Sequence, residues 1–142
     1  HPNAVRGALE TVTRTFERYV RDVLRAGADG IYLATVDWAT RDLLSPAEHR
    51  EWSRPYDLRL LAAAAGAPFN VLHVCKRRNL LLEFADYPVH AFSYDAADPT
   101  NPPLEQALAA LPGAFIGGLS QEDALQQAIA IAFRSAWPKT KP

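Results

Sequence analysis

Alternation between two kinds of apolar pattern constrains the fold of this chain more than any other feature. Short apolar runs with β-branched and aromatic residues, typical of buried parallel strands, occur at 31–36, 69–75, 89–94 and 114–119. Apolar residues recur at helical spacing between them, which predicts helices at 4–25, 56–65, 79–85 and 104–111, one starting at Ser45-Pro46, and one from Ser120 to about residue 133. The sequence therefore predicts an α(βα)4 chain with a parallel sheet and right-handed crossovers.

Several helix boundaries carry local signals of their own. Asn3 is the predicted N-cap of the first helix, and Gly27 is its predicted stop. Ser45, followed three positions later by Glu48, has the pattern of a capping box. Arg54-Pro55 is expected to break or kink the next helical stretch, because proline disfavours helical backbone in the residue before it.

The number of βα units points to part of a barrel. Four units in 142 residues make about half of a (β/α)8 barrel, which typically needs roughly 250 residues. We therefore interpret residues 1–142 as a single partial barrel domain. No Gly-x-Gly-x-x-Gly or Walker loop follows a predicted strand, so a nucleotide-binding fold has no support. The open edges of a half-barrel predict a homo-oligomer, such as a dimer, or pairing with a second half-barrel.

Composition narrows the environment and the partners. A formal net charge of -1 gives no reason to expect nucleic acid or an acidic membrane as partner. The single cysteine excludes an internal disulfide framework and favours a reducing cytoplasm, and no apolar run approaches the length of a membrane span. The chain begins at His1 and contains no methionine, from which we expect a processed or excised product.

Candidate functional residues lie where the predicted strands end, because active sites of barrels and open α/β sheets form beyond the carboxyl ends of strands. His73 and Cys75 are two positions apart on one strand and should share a face. They could ligate one metal, although zinc needs a third protein ligand and the chain has no second cysteine. The alternative is a buried, hydrogen-bonded histidine beside a small apolar thiol.

Charged residues surround this strand end. Three cations, Lys76-Arg77-Arg78, follow Cys75, and the arginine fork suits carboxylates, which predicts an anionic small-molecule substrate; the alternative is a solvated basic turn. Asp37 and Asp95 could be general acids or bases, or Asp37 could pair with Arg41 while Asp95 caps the next turn. The aromatic residues Trp38, Trp52 and Tyr56 are more typical of packing than of ligand binding.

Short motifs of two to five residues follow one another in a specific order over about residues 15 to 125. They are Gly27-Ala28-Asp29-Gly30-Ile31, Trp38-Ala39, Leu43-Leu44-Ser45-Pro46, Arg54-Pro55-Tyr56, His73-Val74-Cys75, Ser93-Tyr94-Asp95, Gly117-Gly118-Leu119 and Ala124-Leu125. In this order they resemble the uroporphyrinogen decarboxylase family. The family fold is a (β/α)8 barrel, which implies that this chain corresponds to the C-terminal half without the last strand.

The resemblance implies a segment of an enzyme that decarboxylates acetate side chains of a porphyrinogen-type substrate without a cofactor. Most family catalytic residues come from parts of the barrel that have no counterpart here. Members with Ser-Trp-Ala-Gly place a substrate-contacting serine in the loop where this chain has Asp37-Trp38-Ala39-Thr40. A carboxylate at Asp37 would repel substrate carboxylates, though not pyrrole N–H groups.

We predict Asp37 and His73 as catalytic residues. The predicted substrate-binding residues are Trp38, Arg41, Lys76, Arg77, Arg78, Tyr94 and Asp95. Zinc-dependent corrinoid methyltransferases, a second branch of the same superfamily, look similar at His73-Val74-Cys75; this implies His73 and Cys75 as zinc ligands and a third ligand beyond residue 142. Members of that branch commonly have glycine where Lys76 stands. A non-catalytic half-barrel that assembles with a second half is the third hypothesis.

Overall fold

One four-stranded parallel sheet organises residues 1–117, which are the residues that the computed structural model describes. Its strands, in spatial order, are β1 (Tyr32–Ala34), β2 (Val71–Val74), β3 (Ala91–Tyr94) and β4 (Ala114–Ile116). The helices are α1 (Pro2–Arg25), α2 (Pro46–Trp52), α3 (Arg54–Ala63) and α4 (Leu104–Ala110). Neighbouring strands are consecutive in the chain and all parallel, as in half of a (β/α)8 barrel. The predicted fold class is confirmed.

The helix boundaries confirm some capping signals and correct one. Asn3 is not an N-cap, because α1 already starts after His1 and has proline in its first turn, where the missing N–H costs nothing. The capping box at Ser45 is present: its Oγ accepts from the N–H of Glu48, and the Glu48 carboxylate accepts from the Ser45 N–H. Ser53 separates α2 from α3, so the predicted break beside Arg54-Pro55 is confirmed.

The connection from β2 to β3 is shorter and tighter than predicted. The expected α-helix at 79–85 is wrong: only a 3-10 helix, Leu81–Phe84, forms there, and a second 3-10 helix, Val36–Ala39, follows β1. The backbone of Arg77, Arg78 and Asn79 is hydrogen-bonded to the loops after β1 and β3, so the first turn of the predicted helix does not form. All four strands are shorter than predicted, and Ser120 with the last predicted helix lies outside the described residues. No helix within residues 1–117 is long and apolar enough to cross a membrane.

One face of the sheet packs against the helices, and we call it the packed face. Its residues are in register across all four strands: Leu33, Leu72, Phe92 and Phe115. They join a core with side chains from α3, α4, the second 3-10 helix and the residues that flank these elements, including Leu61, Leu80, Leu81, Phe84, Tyr87, Ala107 and Leu111. This core holds the fold together, because burying apolar surface is the dominant favourable term in folding.

The opposite face, which we call the open face, alternates with the packed face along each strand. One register row on it contains Ala34, His73, Ser93 and Ile116. The expectation that the first strand is covered on both faces is wrong for the described residues, since Tyr32 is 58% exposed. β1 is an edge strand there, and it pairs with β2 alone.

Two residues fix β1 against β2 at the amino end of the sheet. A Cβ on Gly30 would lie 1.8 Å from the backbone oxygen of Phe69, so only glycine allows this close approach. Asn70 is fully buried; its Oδ1 accepts from the Ile31 N–H, and its Nδ2 donates to the Ala64 carbonyl. Gly27, the predicted stop of α1, has φ +104°, a conformation that glycine adopts without strain.

Candidate functional site

The open face carries a polar group of three side chains near the ends of β1, β2 and β3. His73 and Ser93 are register partners, and His73 Nδ1 lies 3.0 Å from Ser93 Oγ. The Tyr32 hydroxyl donates to the same Ser93 oxygen at 3.2 Å, and the Tyr32 ring stacks on the His73 ring with centroids 5.4 Å apart. We call these three residues the open-face triad. Burial lowers the pKa of His73, which keeps its imidazole neutral at pH 7.

Cys75 lies just beyond β2 and is partly buried. Burial raises the pKa of the Cys75 thiol, an effect that Lys76 and the Val36 backbone partly offset. His73 and Cys75 supply two donors of the kinds that zinc prefers. Residues 1–117 nevertheless contain no group of three His, Cys, Asp or Glu side chains that could hold a metal, and zinc needs at least three protein ligands. The described residues therefore do not form a complete zinc site.

The three cations after Cys75 are exposed and paired with two aspartates from the loop after β1. Lys76 Nζ lies 3.1 Å from Asp37, and Asp42 lies 2.9 Å from Arg78 and 3.8 Å from Arg77. The suggested pairing of Asp37 with Arg41 is wrong, because Asp37 pairs with Lys76. These residues form a charged rim beside the open face, with three cations set against two carboxylates.

Loops on both sides hold the backbone of this rim. On one side, the Thr40 hydroxyl donates to the Arg77 carbonyl at 2.8 Å, and the Arg41 N–H donates to the Arg78 carbonyl at 3.0 Å. On the other side, the Asn101 amide donates to the Lys76 carbonyl at 3.1 Å, and the Thr100 hydroxyl accepts from the Arg78 N–H at 2.9 Å. The cation loop is thus hydrogen-bonded to the loops after both β1 and β3.

The backbone of the cation loop and of the loop facing it adopts conformations that residues other than glycine rarely take. Lys76 has φ +73° and Arg78 has φ +50°, and Val36 in the facing loop has φ +46°. A positive φ in a β-branched residue such as valine is a genuine outlier. Such strain persists where surrounding contacts determine the geometry, and it concentrates at functional sites.

The remaining predicted substrate-binding residues lie in different surroundings. Asp95 caps its own loop by accepting from the N–H groups of Ala97 and Asp98, which confirms the capping alternative. The structure does not bring Tyr94 into the site, because its side chain is buried in the core of the packed face. Trp38 is 61% exposed, so the packing interpretation does not hold for it among the described residues.

Three residues of this arrangement were not assigned from the sequence: Tyr32, Ser93 and Asp42. The signal for the first two is register, since parallel pairing places Ser93 beside His73 once the strand ends are aligned. Tyr32 is two register positions away from the row of His73 and Ser93, and it reaches Ser93 only because its side chain is long. No sequence pattern marks Asp42 as a site residue, because only the folding of its loop brings it to Arg77 and Arg78.

An apolar groove of about 810 Å³ runs beside the free edge of β1. Its walls combine exposed apolar side chains of α1 with residues of β1 and the loop behind it, including Val12, Phe16, Tyr19, Tyr32 and Trp38. Tyr32 belongs both to this groove and to the open-face triad. The groove therefore adjoins the candidate site.

Comparison with known proteins gives one match. The family model described as uroporphyrinogen decarboxylase (URO-D) matches residues 1–128. No curated protein and no solved structure matches the chain significantly.

Proposed function

Because the chain belongs to the uroporphyrinogen decarboxylase family, we propose that it forms part of an enzyme that decarboxylates acetate side chains of a porphyrinogen-type substrate without a cofactor. The observation that carries this proposal is the charged rim beside the open face. Lys76, Arg77 and Arg78 stand at the carboxyl ends of the strands, where barrel enzymes bind substrate. A substrate with several carboxylates suits a cluster of cations.

The reaction needs an acid and a clamp for carboxylates. Protonation of the electron-rich pyrrole makes it an electron sink, so the bond between the methylene and carboxylate carbons breaks and carbon dioxide leaves. The methylene carbon then takes up a proton and becomes a methyl group, and the ring returns its extra proton. In this scheme the rim cations hold carboxylates that are not reacting, so that the reacting one is oriented.

We propose different tasks for the two predicted catalytic residues. Burial lowers the pKa of His73, so a neutral imidazole suits hydrogen bonding to substrate better than proton donation at pH 7. Asp37 lies 3.1 Å from Lys76, whose positive charge offsets the repulsion between this carboxylate and those of the substrate. Asp37 thereby orients Lys76 and remains available to pyrrole N–H groups.

We propose that the remaining strands of the barrel pair with the free edge of β1. A parallel strand added there would satisfy the open hydrogen-bonding edge and lie over the apolar groove. Exposed apolar residues of α1, such as Phe16 and Tyr19, would then become buried. The charged rim and the open-face triad would form one wall of the completed site.

A second candidate is zinc-dependent methyl transfer, favoured by one backbone observation. Lys76 directly follows Cys75 and has φ +73°, the conformation that favours the glycine common at this position in that branch. His73 and Cys75 fit as two donors, and a third ligand would have to come from outside residues 1–117. Zinc, when bound, would lower the pKa of a substrate thiol. Metal analysis of the purified full-length protein tests this candidate: absence of stoichiometric zinc eliminates it.

Turnover of uroporphyrinogen by the full-length protein containing residues 1–142 tests the leading proposal. We expect the substrate to lose carboxyl groups even in the presence of a metal chelator. Mass spectrometry of the oxidised products measures this loss. Arg78→Gln should raise KM several-fold, while Arg25→Gln should leave it unchanged, because Arg25 ends α1 at the opposite end of the sheet and pairs with Asp22. Absence of turnover by a folded protein would reject the proposal.

A further inference from the structure

We propose that Asn101 is a positioning residue that fixes the backbone of the cation loop and thereby presents Lys76, Arg77 and Arg78 to carboxylates in one arrangement. Asn101 lies in the loop after β3, and its side chain is nearly buried, at 6% exposure. It therefore acts through the cation loop rather than on a ligand directly. The choice of carboxylates as ligands rests on the proposed function, whereas the hold on the loop rests on contacts within residues 1–117.

The Asn101 side chain makes hydrogen bonds to three backbone groups. Its Oδ1 accepts from the Asn79 N–H at 3.0 Å, and its Nδ2 donates to the carbonyls of Lys76 at 3.1 Å and Asp95 at 2.9 Å. A backbone N–H can only donate and a carbonyl can only accept, so these partners fix the orientation of the amide. A flipped amide would lose all of these bonds.

Two of the bonds bracket the arginines of the cation loop. The Lys76 carbonyl lies before both arginines and the Asn79 N–H lies after them, so one side chain spans the loop from end to end. The bond to Asp95 ties this span to the residue that follows β3. The Asn79 amide also approaches the Lys76 carbonyl, but at 3.4 Å it is the weaker of the two donors.

The cation loop needs such a hold because its backbone conformation is unfavourable. Lys76 and Arg78 have φ of +73° and +50°, values that residues other than glycine rarely adopt. A strained conformation persists only where surrounding contacts determine it. Its release would redirect the Cα–Cβ bonds of three consecutive cations, since the local backbone sets the direction of each bond. Asn101 thus favours one arrangement of the positive charges.

Asn101 is itself held in place by its own loop. Its N–H donates to the Asp98 carbonyl at 3.1 Å. Thr100 donates to the Asp98 carboxylate through its N–H at 2.8 Å and through its hydroxyl at 2.6 Å. Pro102 and Pro103 follow and restrict the backbone further. The amide is therefore presented from a constrained backbone, which allows it to fix the cation loop.

Asn70 provides a matched control at the amino end of the sheet. It is 1% exposed, its Oδ1 accepts from the Ile31 N–H, and its Nδ2 donates to the Ala64 carbonyl. Asn70→Ala and Asn101→Ala both remove hydrogen bonds between a buried amide and the backbone, and neither changes a charge. Only Asn101→Ala should affect the charged rim.

Hydrogen exchange of single amides in the full-length protein containing residues 1–142 tests the hold on the loop. The N–H groups of Leu80 and Arg41 report on it, because each donates to a backbone carbonyl that no variant removes. We expect Asn101→Ala to speed exchange of both amides about tenfold, the scale of one or two neutral hydrogen bonds. Asn70→Ala should leave both unchanged.

Calorimetric titration of the same proteins with propane-1,2,3-tricarboxylate tests the consequence for binding. Asn101→Ala should weaken binding about three- to tenfold, because affinity falls with the fraction of molecules whose loop is in the binding arrangement. Asn70→Ala should bind like the parent protein. Asn101→Ser keeps a short polar side chain, and we expect smaller changes in the same direction from it; it replaces Asn101→Ala if that variant does not fold in urea titrations.

Unchanged exchange of Leu80 and Arg41 in the folded Asn101 variants would overturn the inference. Equal weakening of binding by the Asn101 and Asn70 variants would also overturn it, because the effect would then follow from general destabilisation. The exchange measurement needs no ligand. A parent protein that does not bind the tricarboxylate, combined with the expected exchange pattern, would therefore support the hold on the loop and count only against the proposed function.

Discussion

The packed and open faces of the sheet use alternate residues of the same strands for different purposes. On β3, Phe92 is fully buried in the core, while its neighbour Ser93 hydrogen-bonds to His73. On β2, Leu72 and Val74 are fully buried, and His73 between them belongs to the open-face triad. Strand alternation thus lets adjacent residues serve stability and chemistry separately.

The edges of the sheet sharpen this contrast. The central strands β2 and β3 are buried along most of their length, whereas the first and last residues of β1 and β4 are exposed. Stability should therefore be concentrated behind the two central strands. Substitutions on the two faces of β3 test this directly.

Phe92→Ala should have the largest effect on stability. Phe92 is fully buried and stacks with Phe115, and truncation of a buried phenylalanine costs about 3–5 kcal/mol. Ser93→Ala, its neighbour on the open face, should cost only about 1 kcal/mol for the lost hydrogen bonds. Urea unfolding measures both. Equal destabilisation by the two substitutions would mean that the faces do not divide stability and chemistry.

A buried polar cluster behind the packed face is an exception to its apolar character. The Asp57 carboxylate accepts from the hydroxyls of Tyr87 and Ser53 at 3.2 Å each, and His49 lies 3.8 Å away. Burial raises the pKa of Asp57 from 3.8 to about 6, although Ser53, Tyr87 and Arg54 favour the charged form. Burial also lowers the pKa of His49, whose side chain is 1% exposed.

Asp57→Asn should therefore stabilise the protein at neutral pH. The raised folded-state pKa favours the protonated carboxyl, so Asp57 stabilises the fold fully below pH 3.8 and loses this contribution as the pH rises through about 6. Asparagine keeps an acceptor without the charge, which should add about 2–3 kcal/mol above that range. The difference in free energy of unfolding should vanish near pH 4, because the Asp57 carboxyl is then protonated and neutral in the folded protein, as asparagine is. His49 titrates in both proteins and does not create a difference between them.

Asp86→Asn is the matched control for Asp57→Asn. Asp86 is exposed, and its hydrogen bond to Arg54 lowers the pKa of its carboxyl. Its contribution to stability is therefore present at neutral pH and lost on acidification, so this substitution should be slightly destabilising at neutral pH. A pH-independent effect of Asp57→Asn would show that burial of its charge does not limit the stability of this region.

Periodicity in the sequence was sufficient to predict the sheet, because the buried face of each strand and the helix between strands leave regular patterns. It failed at 79–85, where apolar Leu81 and Phe84 fit a helix but the loop before them is fixed by tertiary hydrogen bonds to Arg77, Arg78 and Asn79. Local sequence patterns cannot predict such contacts, because the contacting residues are far apart in the chain.

The candidate site was predictable only in part for the same reason. His73 and the three cations follow directly from their place at a strand end. The pairing of Asp42 with Arg77 and Arg78, and the contact of Tyr32 with Ser93, join residues more than 30 positions apart. Tyr94 was assigned to the site by its place at a strand end, but alternation along β3 places it on the packed face with Phe92.

Lys76 tests whether the open side of the molecule stores strain that the packed face does not. Lys76→Ala loses the exposed ion pair with Asp37 and keeps the positive φ, so it should destabilise slightly. Lys76→Gly loses the same pair and relieves the backbone, and we expect it to be about 1 kcal/mol more stable than Lys76→Ala. Urea unfolding of both variants measures the difference. Equal stability would mean that this backbone is not strained.

Asp42 should have the smallest effect on stability and a clear effect on binding. Its contacts with Arg77 and Arg78 are exposed, so Asp42→Asn should change the free energy of unfolding by less than about 1 kcal/mol. Removing its charge frees two cations, and we expect a soluble tricarboxylate to bind up to about fivefold more tightly, since one exposed charge contributes about 1 kcal/mol at contact. Calorimetric titration at low salt measures this change.

Arg78→Gln should shift the same titration in the opposite direction, because it removes a cation and leaves Asp42 to repel the ligand. Both differences should shrink as ionic strength rises, since exposed charges are screened over about 8 Å at physiological salt. Unchanged affinity in Asp42→Asn would mean that the rim cations do not bind carboxylates. The open face would then contribute only the triad to recognition, and the contrast between the two faces would rest on Tyr32, His73 and Ser93 alone.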